Sequence, residues 1–134
     1  MIKMIFIIII AIVLVTITLL RYLKEETLSR DPRIVELKTK MLGTFPELNN
    51  AKIMKGEKSY TVNKHKVYIC TEKNGVKYDD NMLTYVILHE LAHVLCNEEG
   101  HTQKFMDIFN GLLERAAIHN LYDPVIQPVK NYCK

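Results

Sequence analysis

The 134 residues include only five glycines and four prolines, with no internal repeat or low-complexity linker, which excludes a collagen-like or disordered chain. Three cysteines are few and odd in number, so a disulfide scaffold is excluded and the thiols read as unpaired. Neither sign of charge dominates: 18 Lys and Arg face 15 Asp and Glu, a net +3. No basic run is interleaved with aromatic residues, so a nucleic-acid-binding motif is missing. At this length there is room for one folded domain.

Charge is absent altogether from Met4 to Leu20, a 17-residue run whose only polar members are Thr16 and Thr18. A threonine hydroxyl can bond back to a carbonyl of the preceding turn, so both are tolerated in an apolar helix. Lys3 can snorkel, which lets Met1 and Ile2 lengthen the run until it just spans a hydrocarbon core of about 30 Å. A small domain cannot bury a helix that is apolar on every side. The sequence Arg21-Tyr22-Leu23-Lys24-Glu25-Glu26 does not resemble the small-residue cleavage site of a signal peptide. The expected organisation is a single-pass membrane anchor over 1–23, a juxtamembrane linker over 24–32 and a folded domain over 33–134. Arg21, Lys24, Arg30 and Arg33 outnumber the basic groups ahead of the run, which puts that domain on the cytoplasmic side. Unpaired cysteines agree with a reducing compartment.

The rest of the chain is divided by charge. Residues 21–77 carry thirteen basic and seven acidic side chains, whereas residues 78–134 carry four and eight. The basic half can attract anionic lipid head groups or nucleic acid, although solvated faces of a helix and strands are the simpler reading. Asp31-Pro32 opens a helix that carries Ile34, Leu37, Met41 and Leu42 on one face and ends near Gly43. Lys52–Met54 reads as a short strand. Tyr60–Asn63 and Lys66–Cys70 read as a hairpin, and Asn74-Gly75 as a turn. One of Asp79, Asp80 and Asn81 caps a helix running to about Cys96, and Thr102 caps another with Phe105, Ile108, Phe109, Leu112, Leu113 and Ala116 as its apolar stripe.

The chemistry concentrates at His89-Glu90-Leu91-Ala92-His93. Spacing of i and i+4 puts both histidines on one helix face, where they can reach one metal, with Glu90 beside it as general base. Chance would produce one H-E-x-x-H in a chain of this composition about 1% of the time, so the motif carries weight. The surrounding Tyr85–Leu88, Leu91, Ala92, Val94 and Leu95 make a buried helix, in which two unpartnered histidines and a glutamate would cost several kcal/mol. A catalytic zinc takes three protein ligands, and His101 is the best third, just past the Gly100 turn. Glu98 and Glu99 are the alternatives. Cys96 could instead close the site, but reads first as a small buried hydrophobe. His65 and His119 read as surface residues, and Cys70 and Cys133 lack ligand spacing. Tyr85, Tyr122 and Tyr132 read as packing, with a place near the metal as the alternative.

HELAHVLCNEEGHTQKF resembles the core of the SprT-like and WLM-type zincin metallopeptidases: H-E-x-x-H, a short segment, a third His, then a helix with an aromatic residue four positions on. Here those positions are His89, Glu90, His93, His101 and Phe105. With VYIC before it and NLYDP and PVKNYC after it, residues 33–134 are similar to small membrane-anchored proteins of large DNA viruses read as metallopeptidases. The resemblance implies an α+β fold, a minimal zincin-like domain with a small β-sheet packed on the H-E-x-x-H helix and flanking helices, behind one N-terminal transmembrane helix. It also implies a zinc metalloendopeptidase with Zn2+ on His89, His93 and His101, Glu90 activating the water, and a protein or peptide as substrate. The strand Lys66–Cys70 is expected to bind substrate backbone as an added strand. The anchor departs from soluble SprT and WLM proteins, so their role in clearing DNA–protein crosslinks is not carried over. The other readings are a zinc-stabilised membrane protein that binds a partner without catalysis, and a DNA-associated repair protease.

Overall fold

The computed structural model describes residues 1–134. Helix α1 (Ile2–Ser29) is exposed along its whole apolar stretch and is long and apolar enough to cross a membrane. Thr16 and Thr18 donate to the carbonyls of Ile12 and Leu14, both at 2.8 Å, so neither leaves a hydroxyl unpaired. The helix runs straight through most of the stretch expected to be a linker. Leu23-Lys24-Glu25-Glu26 are good helix formers, and nothing stops them until Pro32 pushes Asp31 into an extended conformation (φ −53°, ψ 128°). Glu25 then pairs with Lys66 at 2.7 Å, Glu26 pairs with Lys52, and Tyr22 lies under the Lys52 ammonium. The hydrogen bonds from these lysines hold both carboxylates below their usual pKa, against the opposing effect of desolvation. The end of the apolar helix is therefore pinned to the folded part by ion pairs.

Asp31 caps α2 (Pro32–Leu42) by accepting from the amides of Arg33 and Ile34, and α2 buries Ile34, Leu37 and Met41. A 3-10 turn (Pro46–Asn50) leads into β1 (Lys52–Lys55), followed by β2 (Tyr60–Val62) and β3 (Lys66–Ile69). A small hairpin, β4 (Glu72–Lys73) and β5 (Val76–Lys77), turns at Asn74 and Gly75, both with positive φ. Helix α3 (Asp80–Leu95) is capped by Asp79, and α4 (Gln103–Ile118) by Thr102. The architecture is α+β: four helices, a three-stranded sheet and a two-stranded ribbon, with the apolar helix at the N-terminus.

The main sheet has the order β1-β3-β2, with β1 parallel and β2 antiparallel to β3. This corrects the expectation that Lys66–Cys70 receives an added strand. β3 is hydrogen-bonded on both sides and has no free edge; parallel pairing with β1 takes the side that a lone hairpin would leave open. β1 and β2 are both edge strands, and the end of α1 packs against β1, which leaves β2 as the edge without α1 beside it. Alternate residues Val67 and Ile69 of β3 are buried beneath α3.

The core gathers on α3. Leu83, Ile87, Leu88, Leu91 and Ala92 are almost fully buried, between Ile34, Leu37, Met41 and Phe45 on one side and Phe105 and Phe109 of α4 on the other. The cysteines correct another expectation. Cys70 and Cys133 form a disulfide across 63 residues, with Cα atoms 6.4 Å apart, and Cys96 alone is free and buried. The tail folds back because Tyr132 packs on Tyr78 and its hydroxyl reaches the Cys70 carbonyl, which brings Cys133 to Cys70. The cysteines therefore lend no support to a reducing compartment, since disulfides belong to oxidising ones.

Candidate metal centre

One turn of α3 separates His89 from His93, and both project from the same face. Cys96 ends the helix in extended conformation, and Gly100 (φ +76°) reverses the chain. A side chain there would be strained, so the turn that delivers His101 depends on glycine. Thr102 then accepts from the Phe105 amide at 3.3 Å and starts α4, which fixes His101 at the head of a rigid helix.

The three rings converge. His101 Nε2 lies 3.2 Å from His93 Nε2 and 3.2 Å from His89 Nε2. One nitrogen from each of the three lies within 4.8 Å of the other two. Phe105, fully buried, forms the floor: its ring stacks on His93 at 4.3 Å and lies 4.8 Å from His101 and 5.2 Å from His89. Phe109 meets the His89 ring edge-on at 5.2 Å. The aromatic residue four positions beyond His101 thus holds all three imidazoles in place.

Burial lowers the His89 pKa to about 4, helped by the neighbouring His93 and His101. Burial likewise lowers that of His93, with His101 and Lys64 adding to it. Both rings are neutral at pH 7 and can offer a lone pair to a cation.

Glu90 is only 5% exposed, and its Oε2 accepts a hydrogen bond from Thr61 Oγ1 at 2.7 Å. Burial raises its pKa above the usual carboxylate value, and the Thr61 bond opposes that shift. Thr61 stands opposite Val67 in the β2–β3 register, so it shares Val67's face and meets α3. Lys64, in the β2–β3 turn, donates to the carbonyls of His93 at 3.2 Å and Glu98 at 3.4 Å, closing the end of the helix. Thr61, Lys64 and the histidines line an open cleft of about 380 Å³. The sequence reading missed Thr61 and Lys64. The hairpin register carried a signal for Thr61, since Val67 already marked the inward face; nothing local marked Lys64.

The remaining candidates lie elsewhere. Cys96 is in the hydrophobic core and outside the three-histidine group. Glu99 is exposed and pairs with Lys64 at 3.6 Å, and Glu98 offers its backbone carbonyl to the same lysine. His65 bonds its own turn through the Asn63 carbonyl, and His119 bonds the Arg115 carbonyl; both are exposed. Tyr85 packs edge-on against Phe109, with Tyr122 beyond it. Tyr132 donates to the Cys70 carbonyl and lies 2.8 Å from Ser59 Oγ; burial pushes its pKa up to about 12.

The chain is similar to viral proteins. It is 47% identical over 104 residues to an uncharacterized protein, 136R, of Invertebrate iridescent virus 6, a match covering 70% of this chain and 58% of that one. It is 48% identical over 87 residues to uncharacterized protein 042R of Invertebrate iridescent virus 3, covering 63% and 55% respectively. A third, uncharacterized protein R325 of Acanthamoeba polyphaga mimivirus, is 43% identical over 67 residues, covering 48% and 34%. The chain thus spans little more than half the length of the first two relatives. No protein-family model matches it, and no solved structure does.

Proposed function

We propose that this chain is a membrane-anchored zinc metalloendopeptidase with a minimal zincin-like domain of the SprT/WLM type, held in the membrane by α1. The observation that carries the reading is the convergence of three imidazole nitrogens beside a buried carboxylate. Two zinc–nitrogen bonds of about 2.0–2.1 Å at a tetrahedral angle put the nitrogens about 3.3 Å apart. The 3.2 Å separations of His101 Nε2 from its two neighbours fit that spacing. Three imidazoles and no fourth protein donor suit a catalytic rather than a closed structural site.

Zinc held by His89, His93 and His101 would supply Lewis acidity toward a peptide carbonyl and its attacking water. Glu90 has one oxygen tied to Thr61, which leaves the other, Oε1, to take the water's proton and pass it to the leaving amine. Its raised pKa brings it nearer neutrality, where one group serves as both base and acid. The edge strand β2 runs beside Glu90, away from α1, and is the edge on which an extended peptide could add as a strand.

The test uses the full chain in detergent and an unfolded protein substrate. Glu90→Gln is expected to retain one zinc per chain and lose hydrolysis, and His89→Ala to lose the zinc. Equal cleavage by wild type and Glu90→Gln would remove the carboxylate from the mechanism.

A further inference from the structure

A second cavity lies on the other side of Tyr60 from the histidine cleft, between the end of α1 and the β1–β2 loop. We propose that it binds the phosphate of an anionic phospholipid headgroup from the membrane that α1 enters; this rests on the anchor reading above. The cavity measures about 830 Å³, and Arg21 and Lys24 of α1 face Lys55 and Lys58 across it. Tyr60 and Tyr68, stacked at 4.7 Å, also line it.

Three features point to a headgroup. First, the cations are in surplus. Glu25 is engaged by Lys66 and Lys55 by Glu72, but Arg21, Lys24 and Lys58 have no acidic partner, and the other acid at the rim is the exposed Glu57. An arginine fork beside lysines suits the paired oxygens of a phosphate. Second, the depth matches. Arg21 and Lys24 follow Leu20, the last residue of the apolar run, by one to four positions, about 1.5–6 Å of helix. The headgroup layer outside the hydrocarbon core is about 5–7 Å thick on each side. Third, the wall is built. Gly56 donates to the Ile69 carbonyl at 2.9 Å, and a Cβ there would come within 3.0 Å of both the Lys58 carbonyl and the Tyr68 Cβ. Glycine lets the β1–β2 loop lie close against Tyr68 with Lys58 at the cavity, where a larger residue would have to push its neighbours back.

The experiment reconstitutes the full chain in vesicles of phosphatidylcholine mixed with spin-labelled phosphatidylserine and measures the motionally restricted label per chain. Carbonate extraction of the same vesicles reports insertion. Wild type is expected to retain phosphatidylserine, and Arg21→Gln/Lys24→Gln/Lys58→Gln to lose it by about a hundredfold in relative affinity, each basic side chain near an anionic surface contributing about fivefold. Lys58→Gln alone, outside the inserted helix, should cost about fivefold. Equal retention by wild type and both variants, with insertion intact, overturns the site. Displacement of the label by inorganic phosphate, or by a short single-stranded DNA, at concentrations that leave wild-type insertion unchanged would also overturn it, because the source would then be soluble. Complete extraction by carbonate overturns the anchor and the headgroup site together, and is distinguished by the extraction itself.

Discussion

Thr61 Oγ1 donates to Glu90 Oε2 at 2.7 Å, tying the middle of strand β2 to the carboxylate beside the three histidines. The same hydroxyl lies 3.3 Å from the Glu90 carbonyl, so strand and helix are locked at one point. If Glu90 is the base, Thr61 orients it and moderates the rise in its pKa.

Thr61→Val is therefore expected to bind zinc as wild type does while lowering kcat about tenfold, in line with about 1.5–3 kcal/mol for a hydrogen bond to a charged group, part of which the carboxylate recovers by relaxing. Loss of a donor to the ionised form raises the Glu90 pKa further, so the acidic limb of the rate profile moves to higher pH. Thr61→Ser should restore both. Unchanged kcat and an unmoved limb would show that the bond only joins strand to helix.

Stability of the metal-free protein should depend on pH through His89. Its folded pKa, about 4, lies below the ordinary 6.5. The unfolded chain then binds more protons between those values, so stability present above pH 6.5 falls as the pH drops toward 4. Glu90 works the other way, since its raised folded pKa favours the folded state as the pH falls. Urea midpoints measured in chelator across this range, for wild type and His89→Gln, separate the two. The variant should lose the part of the slope that belongs to His89, and identical slopes would refute the assignment.

Reduction of Cys70–Cys133 should destabilise the domain. The bond closes a loop across 63 residues, for which about 2–4 kcal/mol is typical. Cys133→Ser should show the same lowered urea midpoint and no further response to reductant. In denaturant without reductant, a maleimide should label Cys96 alone; after reduction it should label three thiols. Three labelled thiols in unreduced protein from its native membrane would place the domain in a reducing compartment.

Full-length protein is expected in the membrane fraction and resistant to carbonate, because the exposed apolar length of α1 has no other solvent to suit it. Release into the supernatant would show that the segment is removed or lies elsewhere.

Much of this molecule was legible in local signals. Asp31-Pro32 and Thr102 start helices where the sequence placed them, and Asp79 is the one of its three candidates that caps α3, because a cap is decided by one side chain and the amides two or three residues on. The i, i+4 spacing brought His89 and His93 onto one face, and Gly100 turned the chain so that His101 joins them. The ion pairs of Glu25 and Glu26 within residues 24–32 were not legible, because their partners Lys66 and Lys52 lie more than twenty-five positions away. The central place of β3 was misread because its parallel pairing with β1 leaves no mark in either strand.

From the sequence alone came the apolar first helix, the α+β order of elements and the H-E-x-x-H helix with its third histidine, all determined by periodicity and caps acting within a turn or two. Tertiary structure decided which strand keeps an open edge, that Thr61 holds Glu90, that Phe105 supports all three imidazoles, and that Cys70 finds Cys133. Those outcomes depend on how distant surfaces pack around α3, and packing is a property of the assembled core rather than of any one segment.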